Sequence, residues 1–266
     1  MASRCRIRSA RALLAFAAPC ALAAFAGSAL AAEDSGLLPC PSPTSTQGPA
    51  PATNNVRLVK GVPYSALGTS ETVTTLPDGN RVVRQNHFRL WRSSDGRTRS
   101  EISLSSIAGT PPLELNTTVT VIDDPSARER YMLQPGRNVA VTVPITPCRP
   151  EGSLEPDLTV GPPRPAHLPL QVSPAVALGE RKLDGETVAG RRIEATIPAG
   201  AAGNLQPIKM SAEQWYGKDL QVVVEATYKD PRTGETRYKL SDIDRAEPDA
   251  RLFKVPANYV KQRPRR

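Results

Sequence analysis

The chain is short of the residues that most often carry chemistry. Of its 266 residues only two are histidine, His87 and His167, only four are cysteine, and 5% are aromatic. His87 sits between Asn86 and Phe88, and His167 sits among prolines. Neither has a recognisable ligand or acid partner at useful spacing, and cysteines without nearby histidines do not make a tetrahedral zinc site. No G-x-S-x-G, S-x-x-K, H-E-x-x-H, G-x-x-x-x-G-K or G-x-G-x-x-G motif occurs, so nothing signals a nucleophile elbow, a zinc protease or a phosphate loop. Asp123-Asp124 and Asp242-x-Asp244 pair carboxylates, but neighbouring acids at strand ends read as turn formers. The expectation is no metal, no cofactor and no catalytic residue, with sites assembled in space left open. After the first thirty-odd residues no apolar run approaches the ~20 residues of a membrane-crossing helix.

Charge of one sign is also missing where it would matter. The formal net charge is +8. Four of the 34 basic residues are Arg4, Arg6, Arg8 and Arg11, and four more are Lys261, Arg263, Arg265 and Arg266 at the other end. Between positions 32 and 260, basic and acidic residues balance. With no basic face, nucleic-acid binding loses its electrostatic basis, and residues 261–266 read as a solvated basic tail with at most peripheral membrane contact.

What is present first is an export signal. A basic head is followed by the apolar run ALLAFAAPCALAAFAGSALA at 12–31, ending in Ala29-Leu30-Ala31. This is the pattern of a secretory signal peptide cleaved between Ala31 and Ala32, with an uncut anchor as the alternative. The mature chain is expected in the periplasm or outside the cell. It keeps two cysteines, Cys40 and Cys148, both in proline-rich sequence. An oxidising compartment favours a disulfide between them over two free thiols.

Proline is abundant, at 27 residues. Five lie between 39 and 51, which makes 32–55 a Pro/Ser/Thr-rich linker, and nine lie in an insert at 144–174. Elsewhere the punctuation is that of hairpins. Strands are expected at 63–76, 81–92, 97–105, 117–122, 130–133, 139–143, 178–183, 187–197, 206–216, 220–228 and 235–243. Their turns fall at Pro77–Asn80, Ser93–Gly96, Gly136–Asn138, Asp184-Gly185, Gly217–Asp219 and Pro231–Gly234. Alternation places Val119 with Val121, Val139 with Val141 and Val143, and Ile193 with Ala195 and Ile197. It also puts Leu220, Val222, Val224, Ala226 and Tyr228 on one face. No apolar 3.6-residue period is sustained over ten residues. The pattern is an antiparallel meander in sequence order over a single domain at 56–260, either two packed sheets or one strongly curved sheet.

Three stretches carry a resemblance. Arg89–Glu101 (RLWRSSDGRTRSE), Trp215–Val224 (WYGKDLQVVV) and Glu247–Tyr259 (EPDARLFKVPANY) resemble, in order, patterns of the periplasmic lipoprotein-carrier superfamily. That superfamily includes lipoprotein-localisation carriers, the lipoprotein receptor and the sensor domain of sigma-factor regulators. The sequence is also similar to uncharacterised exported bacterial proteins. The insert at 144–174 and the lack of helical periodicity depart from the superfamily's pattern.

The resemblance implies a mainly β fold: one strongly curved antiparallel sheet forming an open half-barrel, with few or short helices. It implies a non-enzymatic exported protein that binds an apolar ligand, a lipid or a lipoprotein acyl chain, in the concavity of the sheet. Trp91, Trp215, Tyr216 and Phe253 are the candidate cavity residues, against the competing expectation that they fill core. A structural or sensory envelope protein that binds another protein is the second reading, and a hydrolase with His87 in a spatially assembled site is the third. No oligomeric state follows from the sequence.

Overall fold

The computed structural model describes Leu37, Cys40 and residues 55–103, 118–149 and 169–264. The expected leader with its Ala31–Ala32 cleavage point, nearly all of the linker, His167 and the centre of the proline-rich insert lie outside these residues.

After β1 (Asn55–Arg57), six strands follow in hairpin order: β2 (Tyr64–Thr75), β3 (Arg81–Arg92), β4 (Thr98–Ser103), β5 (Thr118–Asp124), β6 (Glu129–Gln134) and β7 (Val139–Pro144). Two short strands, β8 (Thr146–Cys148) and β9 (Gln171–Val172), lie inside the proline-rich insert. A second hairpin series comprises β10 (Val176–Leu183), β11 (Glu186–Ile197), β12 (Ile208–Gly217), β13 (Val222–Asp230) and β14 (Gly234–Asp244). β15 (Val260–Gln262) ends the described chain and places Lys261 in a strand.

The turns have local causes. Asp184 and Gly185 both take positive φ, 48° and 79°, and Leu183 pairs directly with Glu186. This two-residue reversal twists with the strands it joins, which Asp-Gly supplies at little cost.

Thirteen strands of the described residues form one sheet: twelve run from β10 through β14, then β2 to β7, and end at β15, and β9 pairs with β11 off this path. The expected order is therefore corrected at one place. Two meanders meet where β14 pairs with β2, antiparallel, from Glu235↔Val73 to Asp244↔Ser65. Two pairings are parallel, β15 with β7 and β1 with β8. Among the described residues the architecture is mainly β, one large, open and strongly curved sheet beside the two-stranded β1–β8 pair, with only short 3₁₀ turns. Of the two arrangements open at the sequence level, the curved sheet holds.

The ladders fix which side chains share a face. One row crosses the sheet as Ala66, Leu90, Ser100, Val121, Met132 and Val141, and beside it stand Gly68, Phe88, Ile102 and Val119. The opposite face carries Trp91, Arg99, Ile122, Tyr131 and Thr142. The second face is closed by the segment that follows β14. Its 3₁₀ turn Ala250–Phe253 buries Phe253 against Ile122, Tyr131, Leu133 and Ala140. Arg99 secures the turn by donating Nη1 to the Leu252 carbonyl at 2.8 Å.

The first face is the concave one. Arg92, at the end of β3, donates Nη2 to the carbonyl of Leu220 in the β12–β13 turn, although β14 and β2 stand between β13 and β3. Strands in a flat sheet are about 4.8 Å apart, so one side chain spans this gap only if the sheet curls toward Arg92.

A second correction concerns β13. Trp215 pairs with Glu225 but Tyr216 pairs with Val223, leaving Val224 as an extra residue, and Leu220 lies in the turn. This β-bulge breaks the expected run of five residues on one face and increases the local twist.

Candidate functional site

The concave face is apolar and incompletely covered. Leu90, Ile102, Val119, Val121, Met132 and Val141 are all half-buried, whereas Thr120, Ile122, Ala140 and Thr142 on the other face are buried. The valine stripes of β5 and β7 thus belong to the more accessible side of the sheet.

The face holds a cavity of about 320 Å³. Ala226, Tyr228 and Tyr238 line one wall, Tyr64, Arg92 and Thr98 another, and Arg57 and Val59 come from the segment around β1. Tyr238 stacks on Phe88 with ring centroids 5.4 Å apart, which extends the aromatic surface from β14 across β2 to β3. Phe88 in turn lies flat over Gly68, where a Cβ would stand 1.9 Å from Cε2. Gln214 donates Nε2 to the Tyr228 hydroxyl at 2.6 Å, so the polar tip of that ring is satisfied inside an apolar wall.

The polar exception is Arg92, only 6% exposed. Its Nε donates to the Val62 carbonyl at 2.9 Å and its guanidinium lies 4.7 Å from the Tyr64 ring centroid, a desolvated cation–π contact. Burial pushes the Arg92 pKa down from its ordinary value, opposed by Tyr64 and Tyr216 and reinforced by Arg57. Burial likewise raises the Tyr64 hydroxyl, with Arg92 acting against it, and raises the Tyr238 hydroxyl.

A larger depression of about 730 Å³ lies at the other end of the sheet near the β13–β14 turn. Charged side chains dominate it, among them the pairs Arg232–Asp230 at 2.6 Å and Arg237–Glu235 at 2.7 Å. Five basic and three acidic side chains line it, so it is a charged surface with an excess of positive groups.

The four aromatic residues named from sequence are not brought together. Trp91 and Phe253 pack in the cluster on the opposite face. Trp215, 8% exposed, faces Gly190 across the ladder, while Tyr216 points to the other side and is half-buried. None of the four is among the described residues lining the 320 Å³ cavity. Those that are, Tyr64, Arg92, Tyr228 and Tyr238, were missed by a search for tryptophan. A signal existed in RLWR: strand alternation puts Arg92 on the same side as Leu90 and Phe88, a charge on an apolar face.

His87 is exposed on β3 between Thr69 and Ser103. Glu101, one register step along β4, already accepts from Arg99 at 2.9 Å. No hydrogen bond joins His87 to another described side chain. Among the described residues no three His, Cys, Asp or Glu side chains are grouped to hold a metal, and no helix is long and apolar enough to cross a membrane.

No protein-family model and no curated protein matches the chain. Solved structures do. An uncharacterised conserved protein from Thermus thermophilus is 12% identical with a TM-score of 0.41, over 77% of this chain and 91% of that one. A LolA superfamily protein from Nitrosomonas europaea is 10% identical with a TM-score of 0.31, over 74% and 92%. The MucA/MucB complex of Pseudomonas aeruginosa is 11% identical with a TM-score of 0.35, over 74% of this chain and 56% of that one. Likeness at this level fixes neither ligand nor activity.

Proposed function

We propose that the chain is an exported, non-enzymatic binding protein that holds an apolar ligand, a lipid or the acyl chain of a lipoprotein, in the concavity of its sheet. The observation that carries this reading is the 320 Å³ cavity beside a half-buried apolar face. Its size is at the lower end of the ~300–1,000 Å³ of small-molecule sites, which suits a single aliphatic chain. Affinity would come from burying methylenes at about 0.8 kcal/mol each, and no covalent step is required. The Cys40–Cys148 disulfide supports an oxidising compartment, in agreement with the leader.

The test is native mass spectrometry of the mature protein purified from the periplasm, followed by solvent extraction. Near-stoichiometric co-purifying lipid is the expected result. Val223→Phe, which fills the cavity from a half-buried position on β13, should abolish it while leaving the urea unfolding midpoint nearly unchanged. A clean apo mass with an empty extract overturns the reading.

A further inference from the structure

The cavity contains an unneutralised positive charge. Arg57 and Arg92 both line it, and no aspartate or glutamate is among its described lining residues. Arg92 is buried, and the two acceptors it is given, Val62 and Leu220, are backbone carbonyls that carry no counter-charge. Arg57 is half-buried, and its Nε is a buried donor without any hydrogen-bond partner. Among the described residues neither guanidinium takes part in an ion pair, although eleven pairs satisfy charged groups elsewhere.

An orphaned buried donor costs free energy, and a buried cation without a partner costs more. Two guanidiniums that repel each other beside one apolar void raise that cost further. An anion would relieve all three. It would accept from the Arg57 Nε, neutralise Arg92 without displacing its two carbonyl contacts, and lie where low local dielectric strengthens charge-assisted hydrogen bonds. A planar guanidinium fork matches a carboxylate or a phosphate.

We propose that Arg57 and Arg92 form the headgroup site of this cavity, and that its ligand is a single-chain amphiphile with an anionic head, a carboxylate or a phosphate monoester. The proposal deepens the reading of an apolar site and rests on it. The head sits at the two arginines and the chain runs along Val222, Val223 and Ala226 toward the stacked Phe88 and Tyr238.

The experiment is isothermal titration of the delipidated full mature protein with four probes: dodecanoate, dodecyl phosphate, the neutral dodecanol, and inorganic phosphate. Anionic amphiphiles should bind at least about tenfold tighter than dodecanol, as expected of one charge-assisted hydrogen bond, and inorganic phosphate should not bind. Dodecanoate against dodecyl phosphate tells a carboxylate head from a phosphate head. Arg57→Gln, which removes a side chain whose Nε bonds nothing, should abolish the preference for anions, so that dodecanoate and dodecyl phosphate bind no tighter than dodecanol. Arg92→Lys should keep the preference in part, because the charge remains while the fork is lost.

Equal affinity for dodecanoate and dodecanol, unmoved by Arg57→Gln, overturns the headgroup site while the apolar cavity stands. Failure of all three amphiphiles to bind a protein that unfolds cooperatively overturns the cavity reading itself. Tight binding of inorganic phosphate alone overturns the amphiphile and leaves a plain anion site.

Discussion

Trp215 lies flat against Gly190, its direct partner across the β11–β12 ladder. A Cβ on Gly190 would stand 2.6 Å from the indole Cζ3, and the Arg181 guanidinium closes the other side 3.7 Å from the ring. Glu213 accepts from the indole Nε1 at 3.1 Å. The ring is held between bare backbone and a cation, with no room for a methyl group. Gly190→Ala should therefore destabilise by about 1–3 kcal/mol, read as a lower urea midpoint at unchanged slope. Trp215→Ala should cost about 3–5 kcal/mol. Trp215 shares a buried cluster with Tyr64 but does not line the 320 Å³ cavity, so the folded fraction of that variant should bind ligand with near wild-type affinity. A selective loss of binding would place the indole in the site after all.

Gly68 serves Phe88 in the same way, but on the concave face. An added methyl there would occupy the position of the Phe88 ring and push it off Tyr238, with which it stacks. Gly68→Ala should lower stability by about 1–3 kcal/mol. Unlike Gly190→Ala, it should also weaken binding of an apolar ligand. Calorimetric titration of both variants separates the two: loss of affinity in both, or in neither, would break the assignment of faces.

The strands were legible because their boundaries are written in local chemistry. Asp78-Gly79, Asp95-Gly96 and Asp184-Gly185 punctuate runs whose alternation gave β2, β3, β10 and β11 within a residue or two, and Ile193, Ala195 and Ile197 are all buried as their spacing predicts. The long-range steps were not legible. Nothing in residues 234–244 says that they pair with residues 65–73 rather than close a separate sheet, since a ladder's partner is chosen by the whole fold. The bulge at Val224 was hidden for a similar reason. Alternation counts residues, whereas the face they occupy depends on register against β12. Tryptophans are conspicuous and drew the expectation of cavity residues, yet none of the four lines the 320 Å³ cavity among the described residues. Its wall is built from tyrosines and an arginine that meet only through curvature, with Arg92 the one residue whose place on an apolar face hinted at it.

Alkaline pH should probe the covered face. Burial raises the Tyr131 pKa to about 12, helped by its hydrogen bond to Glu129 at 2.7 Å and by that carboxylate's charge; Lys261 stands 4.5 Å from the ring. The unfolded phenol titrates near 10. Folded Tyr131 therefore keeps a proton that the unfolded chain has lost, and its contribution to stability, complete below pH 10, disappears as pH rises toward 12. The urea midpoint should fall over this window, and Tyr131→Phe, which cannot ionise, should fall less. Parallel curves for the two proteins would remove Tyr131 as a source of the alkaline loss.

The Cys40–Cys148 bridge joins residues 108 apart in sequence and stands where β8 meets β1 in parallel, Arg57 opposite Cys148. Closing a loop of that length restricts the unfolded chain by up to about 4.7 kcal/mol in the chain-entropy view. The bridge is also local to the site, since Arg57 and Val59 reach the cavity from the segment that β8 holds. Cys40→Ser/Cys148→Ser should thus do two things. It should lower the urea midpoint by an amount equivalent to several kcal/mol, about 3–5. It should also weaken ligand binding at temperatures where the variant is still fully folded, because a three-residue parallel ladder alone holds β1 poorly. Calorimetric titration well below the unfolding transition checks the second effect. Unaltered affinity there would mean that the backbone hydrogen bond from Leu58 N–H to the Cys148 carbonyl and the β1–β8 ladder suffice to keep the cavity wall in place.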